Sequence, residues 1–122
     1  MKDFRDLQVW QKAHSLTLEV YRITVAFPRQ ETYGLVSQTR RCAVSVAANI
    51  AEGCGKRGNV DFQRLLNIAS GSAIELEYHF LLARDLSFLA AEDYEALSNG
   101  VIEVKKMLGS LMRKIEAERF AS

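Results

Sequence analysis

Apolar residues return at alternating steps of four and three along most of this chain, and that spacing restricts it to helices packed side by side. Val9, Ala13, Leu16, Val20, Ile23 and Phe27 set the pattern near the start. Leu97, Val101, Val104, Leu108, Leu111 and Ile115 repeat it near the end. Such a repeat puts every member on one stripe of an α-helix, which a second helix must cover. Between them Phe62, Leu65, Ala69, Ala73, Leu76, Phe80 and Ala83 line one side of a third segment. Pro28 is the single proline in 122 residues, so nothing interrupts the long helices this pattern asks for.

The second segment departs from the rule. From Cys42 to Ala51 it reads CAVSVAANIA, without a charge, between Arg41 and Glu52. Leu35, Cys42, Val46 and Ile50 form its apolar stripe. Beside them Gln38, Arg41, Ser45, Asn49 and Glu52 recur at steps of three and four. At ~100° per residue these five fall within an arc of roughly 80°. What remains is mostly alanine and valine, so the helix offers almost no face fit for water and reads as buried on several sides. That points to assembly.

The polar stripe carries two readings. As a site, it supplies Arg41 and Glu52 as charged members with Gln38 and Asn49 as amide clamps. As structure, it is an internal hydrogen-bond network that fixes helix or subunit register, with Glu75 from the third helix pairing Arg41. Buried polar groups must be hydrogen-bonded, and a buried arginine without a carboxylate is very costly. The structural reading, a buried network of Gln38, Arg41, Ser45, Asn49, Glu52 and Glu75, is the one adopted.

Boundaries follow from local chemistry. Pro28 ends the first helix, because the residue before proline leaves the helical region. Gly53, Gly55 and Gly58 punctuate the end of the second. Asn59 can cap the third, with Asp61 in its first turn, and Glu92 and Asp93 suit the start of the fourth. The helices are expected over about 6–26, 32–53, 60–86 and 92–118. The small residues ASGSA (69–73) and the ridge Ala43, Ala47, Ala51 predict a close crossing of helices two and three. Short connections force antiparallel neighbours, so residues 1–122 are expected to form one all-α domain, an antiparallel up-down-up-down four-helix bundle.

Motifs for chemistry are few. Net charge is +1, and no apolar run approaches the ~20 residues of a membrane span. The opening MKDFRDLQVW lacks the apolar stretch of a signal peptide, so a cytoplasmic protein is expected. Cys42 and Cys54, if on one helix, lie roughly 18 Å apart, which rules out a disulfide. GCGKRG (53–58) matches G-x-G-x-x-G, but it follows a helix instead of a strand, and Lys56 precedes Arg57 where a phosphate loop needs Ser or Thr. Glu75 and His79 stand at i, i+4 and supply half of a metal site; a plain polar pair is the commoner meaning of that spacing. No catalytic, metal or cofactor residue is assigned, and a non-enzyme is expected.

Charge distribution says more than its sum. An up-down-up-down bundle brings the start of helix one, the 53–60 turn and the end of helix four to one end. Lys56, Arg57, Arg64, Arg113 and Lys114 gather there. A mixed solvated surface accounts for them in a monomer; in a ring, each local excess is multiplied by the subunit count and a basic rim attracts phosphates.

One family matches these residues. The run L-x-x-Q-x-R-R-x-x-x-S-x-x-x-N-I-A-E-G, Leu35 to Gly53, resembles the central signature of the bacterial four-helix-bundle proteins encoded in 23S rRNA intervening sequences. IASGSAIELE (68–77), FRDLQVWQKA (4–13) and FPRQETYGL (27–35) extend the likeness over nearly the whole chain. The resemblance implies a homopentameric ring without enzymatic activity. It also extends to the accessory variability determinant of diversity-generating retroelements, which implies nucleic acid and a reverse transcriptase as further partners. Those accessory proteins are strongly basic, whereas this chain is nearly neutral.

Overall fold

The computed structural model describes residues 3–121. Among them there are four long α-helices, α1 (Gln8–Thr24), α2 (Ser37–Cys54), α3 (Asn59–Asp85) and α4 (Ala91–Arg119), and no strand. Contacts between neighbours run in opposite senses along the sequence. Thr17 meets Ala43 and Tyr21 meets Arg40; Gly53 faces Phe62 and Ser45 meets Ser72. Glu77 pairs with Lys105 and Gln63 with Arg119, while Lys12 pairs with Glu103 across α1 and α4. All four adjacent pairs are therefore antiparallel, and the chain is an all-α four-helix bundle.

The seams read from sequence are the core. Val20, Ile50, Leu66, Leu76, Phe80, Leu97, Val101, Val104 and Leu108 are all sealed from solvent. Thr17 and Thr24 sit among them at no cost in unsatisfied hydroxyls, because each donates to a carbonyl one turn back, Ala13 at 2.8 Å and Val20 at 2.7 Å.

Helix ends differ from the sequence pattern where local hydrogen bonds compete. Phe4–Asp6 form a separate 3-10 turn, with the Asp3 carboxylate accepting the Arg5 N–H at 3.0 Å, so α1 begins at Gln8 instead of about residue 6. The expected start of the second helix at 32 is a wide π-type turn, Thr32–Val36. Gly34 breaks it at φ −109°, ψ −111°, and Glu31 reaches over the break to accept the Leu35 N–H at 3.1 Å. Regular α2 starts only at Ser37 and continues through Gly53 to Cys54, so Gly53 is a residue of the helix body rather than its cap. Its lack of a side chain serves packing: a Cβ there would sit 2.8 Å from the Phe62 ring and 3.3 Å from Leu65 Cβ. At the end of α3, Ser87 takes a left-handed conformation (φ 65°) while Phe88 N–H returns to the Ala83 carbonyl at 2.8 Å.

The expected alanine-ridge crossing is corrected. Ala43 turns to α1, where Thr17 Oγ1 donates to its carbonyl at 3.2 Å. Cys42 and Ser45, one step around the helix, are the residues that reach the small segment of α3 at Ser72.

Candidate functional site

Three of the four directions around α2 have occupants. Arg40 and Ala43 face α1, Val46 and Ile50 face the core, and Cys42, Ser45 and Gly53 face α3. The fourth direction faces outward and carries Arg41, Val44, Ala48 and Glu52, all exposed, with Ala51 half-buried. Between Arg41 and Glu52 this outer face holds no charged side chain. Leu18 and Tyr21 of α1 and Val25 just past its end, at i, i+3 and i+7, are also exposed apolar residues, with the Arg40 guanidinium over the Tyr21 ring. A separate exposed apolar strip runs along α3 through Ile68, Gly71, Ile74 and Tyr78.

The polar stripe lies along the surface seam between α2 and α3. Gln38, Arg41, Glu52 and Glu75 are exposed in the single chain, and only Ser45 and Asn49 are half-buried. The interior network expected from sequence is thus reduced to its middle: Ser45 and Ser72 hydroxyls lie 2.8 Å apart, and Asn49 Nδ2 donates to the Ser45 carbonyl and hydroxyl at 2.8 and 3.1 Å. The reason is register. The stripe sits a quarter-turn outside the Val46–Ile50 line, so only the residues meeting Ser72 are covered. Arg41 and Glu75 line one cleft of about 360 Å³ with Gln38, Cys42, Ser45 and Ser72, and no ion pair within 4 Å joins them. Glu52 instead lies 3.9 Å from Lys56.

Beneath the cleft the side chains become titratable. His79 Nε2 is 3.5 Å from the Glu75 carboxylate, with the imidazole buried and the carboxylate open to solvent. Burial pushes the His79 pKa down, partly opposed by the Glu75 charge. Burial also pushes the Cys42 thiol up to about 12, with the Glu75 charge and its hydrogen bond adding to the rise. Cys42, Glu75 and His79 each bring a ligand atom into one cluster, all within 4.8 Å. Sequence reasoning found the Glu75–His79 pair and missed Cys42, because the thiol arrives from another helix.

At the opposite end, the expected meeting of chain segments is seen. Lys56, Arg57 and Lys114 line a cleft of about 260 Å³ with Leu7, Asn59 and Glu118. Asn59, expected as a helix cap, lies inside α3 and donates to Glu118 at 3.3 Å. Arg64 is held 3.7 Å from Asp61, and Arg113 bonds Ser110 at 3.4 Å; neither lines the cleft. No described helix is long and apolar enough to cross a membrane.

Comparison with known proteins places the chain. The family model described as 23S rRNA-intervening sequence protein matches residues 5–110. A crystal structure from Bacteroides thetaiotaomicron, a protein with unknown function from the S23 ribosomal protein family, superposes with a TM-score of 0.79. It shares 27% sequence identity, and the match covers 86% of this chain and 95% of that one. No curated protein matches the chain in sequence.

Proposed function

We infer that this chain, which belongs to the 23S rRNA-intervening sequence protein family, works by self-assembly as a non-catalytic scaffold or adaptor in a homopentameric ring. The observation that carries the reading is the outer face of α2, uncharged between Arg41 and Glu52 and presenting Val44 at 42% exposure. A solvated helix would place charged residues there. Exposed apolar surface of this kind, with Leu18, Tyr21 and Val25 also exposed, marks a contact. The strip through Ile68, Ile74 and Tyr78 offers a second, different surface, and a cyclic ring needs two unlike patches per subunit.

Light scattering on the purified full-length chain tests this. The expected mass is about five times the 13.7 kDa of one chain. Val44→Glu, at a position exposed in the single chain, should shift the population toward monomer without loss of helicity. A wild-type protein that stays monomeric at micromolar concentration would overturn the reading.

A second reading rests on the cleft of Lys56, Arg57 and Lys114, whose cations converge at one end of the bundle. Contact with RNA or DNA phosphates there predicts affinity that falls steeply with salt. Neutralising Lys56, Arg57 and Lys114 together should weaken it uniformly across sequences, and Arg64 and Arg113 should add less. Absence of binding at ~50 mM salt removes this reading.

A further inference from the structure

The seam between α2 and α3 contains an arrangement that self-assembly does not use. Glu75 and His79 share one face of α3, and Cys42 approaches from α2, its Sγ 3.0 Å from the Ser72 carbonyl. Thiol, carboxylate and imidazole present one ligand atom each, and all three lie within 4.8 Å of one another. The set is mixed in type and drawn from two helices, unlike a run of surface acids.

Within that set, His79 is the least satisfied side chain. Its side chain is only 7% exposed, yet Nδ1 has no hydrogen-bond partner, and Nε2 has one long contact of 3.5 Å to Glu75. The nitrogen that faces the cluster is Nε2, whose single long contact to Glu75 leaves it open to an ion; Nδ1 lies on the other side of the ring and is not a ligand here.

We propose that Cys42, Glu75 and His79 form a three-ligand site for a transition metal ion of the zinc type. Ligand lengths of ~2.0–2.3 Å place tetrahedral donor atoms about 3.3–3.6 Å apart. The Glu75–His79 separation of 3.5 Å already has that value. The widest separation in the set, at most 4.8 Å, must close by about 1 Å on binding. On binding, the Cys42 S–H bond breaks, its proton passes to solvent, and the sulfur electron pair forms the metal–sulfur bond. The thiolate and the carboxylate together offset both charges of the ion. The cleft of about 360 Å³ above Cys42 and Glu75 gives a path from solvent and room for water as the fourth ligand. A soft thiolate beside an imidazole and a carboxylate selects zinc over calcium or magnesium. Three protein ligands with one open position resemble zinc sites that bind or activate a small molecule more than closed structural ones.

Cobalt(II) titration of chelator-treated, full-length protein tests the site. The expected result is a thiolate-to-cobalt charge-transfer band that saturates at one ion per chain and is displaced by zinc. Cys42→Ser should abolish the band, and Cys54→Ser should retain it. Glu75→Gln alters a solvent-exposed side chain, so the fold is expected to survive, and it should weaken cobalt binding by at least about tenfold. Circular dichroism confirms folding of each variant. A folded wild-type protein with no thiolate band, or a band that survives in Cys42→Ser, overturns the proposal.

Discussion

Replacing Gly53 by alanine tests whether the approach of α2 and α3 is set by that missing side chain. Two opposing effects can be sized. Alanine in a helix interior is favoured over glycine by up to about 1 kcal/mol, and less near a helix end, where Gly53 sits. Against this, the new methyl would lie 2.8 Å from Phe62 Cδ1, 3.3 Å from Phe62 Cε1 and 3.3 Å from Leu65 Cβ. The Phe62 ring is half-buried and can turn, but Leu65 Cβ is fixed to the backbone of α3. Overpacking of this kind costs about 1–3 kcal/mol. The net expectation is a loss of about 1–2 kcal/mol, read as a fall in Tm of roughly 3–6 °C per kcal/mol. Gly109→Ala is the internal control. It lies mid-helix in α4, and its Cβ would meet only the mobile end of Arg113 at 3.3 Å, so it should gain about 0.5–1 kcal/mol. Thermal and urea unfolding of both variants decide the matter. If Gly53→Ala gains as much as Gly109→Ala, the seam has slack and the close-approach argument is wrong.

Three further outcomes are expected. Ser87→Gly should raise stability by about 0.5–1 kcal/mol in chemical denaturation, because Ser87 holds φ 65°, where only glycine is free of Cβ strain. His79 titrates lower in the fold than its ordinary 6.5, so the unfolded chain binds its proton first as pH falls. Stability should be complete above about pH 6.5 and lost as pH falls toward the folded value; with chelator present, His79→Gln should flatten that part of the Tm profile, and an unchanged profile refutes the assignment. Cys42, with its thiol raised to about 12, should resist alkylation at about pH 8 until the chain unfolds, as peptide mapping would show.

Most of the architecture was legible because the apolar period and the turn residues agree with each other. Val9 to Phe27 and Leu97 to Ile115 gave the seams directly, and Pro28 and the 53–58 glycines located two of the three connections. Errors arose where a local hydrogen bond outcompeted the pattern. Glu31 accepting the Leu35 N–H delays regular α2 until Ser37, and nothing in the apolar spacing announces that bond. The alanine ridge was assigned to the wrong neighbour because three alanines fit against any helix; the Thr17 hydroxyl, bonded to the Ala43 carbonyl, decides for α1. The site was legible only in halves. Ser45 and Asn49 were readable as members of one polar stripe, since i, i+4 spacing puts them on one face, and they do bond each other. Their junction with Ser72, and that of Cys42 with Glu75 and His79, depends on how α2 slides along α3. A register set by two helices is not written in the spacing of either one.

The same register explains why an uncharged helix is compatible with a half-open surface. One bundle covers α2 on three sides, leaving Val44 and Ala48 outside, so the lack of charge there is unexplained by the single chain. A two-fold dimer would pair this strip with itself and leave Ile68, Ile74 and Tyr78 on α3 exposed. The proposed head-to-tail contact would place the α2 strip of one subunit on the α3 strip of the next and use both. Such a contact leaves an exposed strip at each end unless it closes on itself, and closure into a ring removes the last of them. Two unlike strips on separate faces of one small bundle are what the proposed ring requires, whereas a dimer would use only one of them.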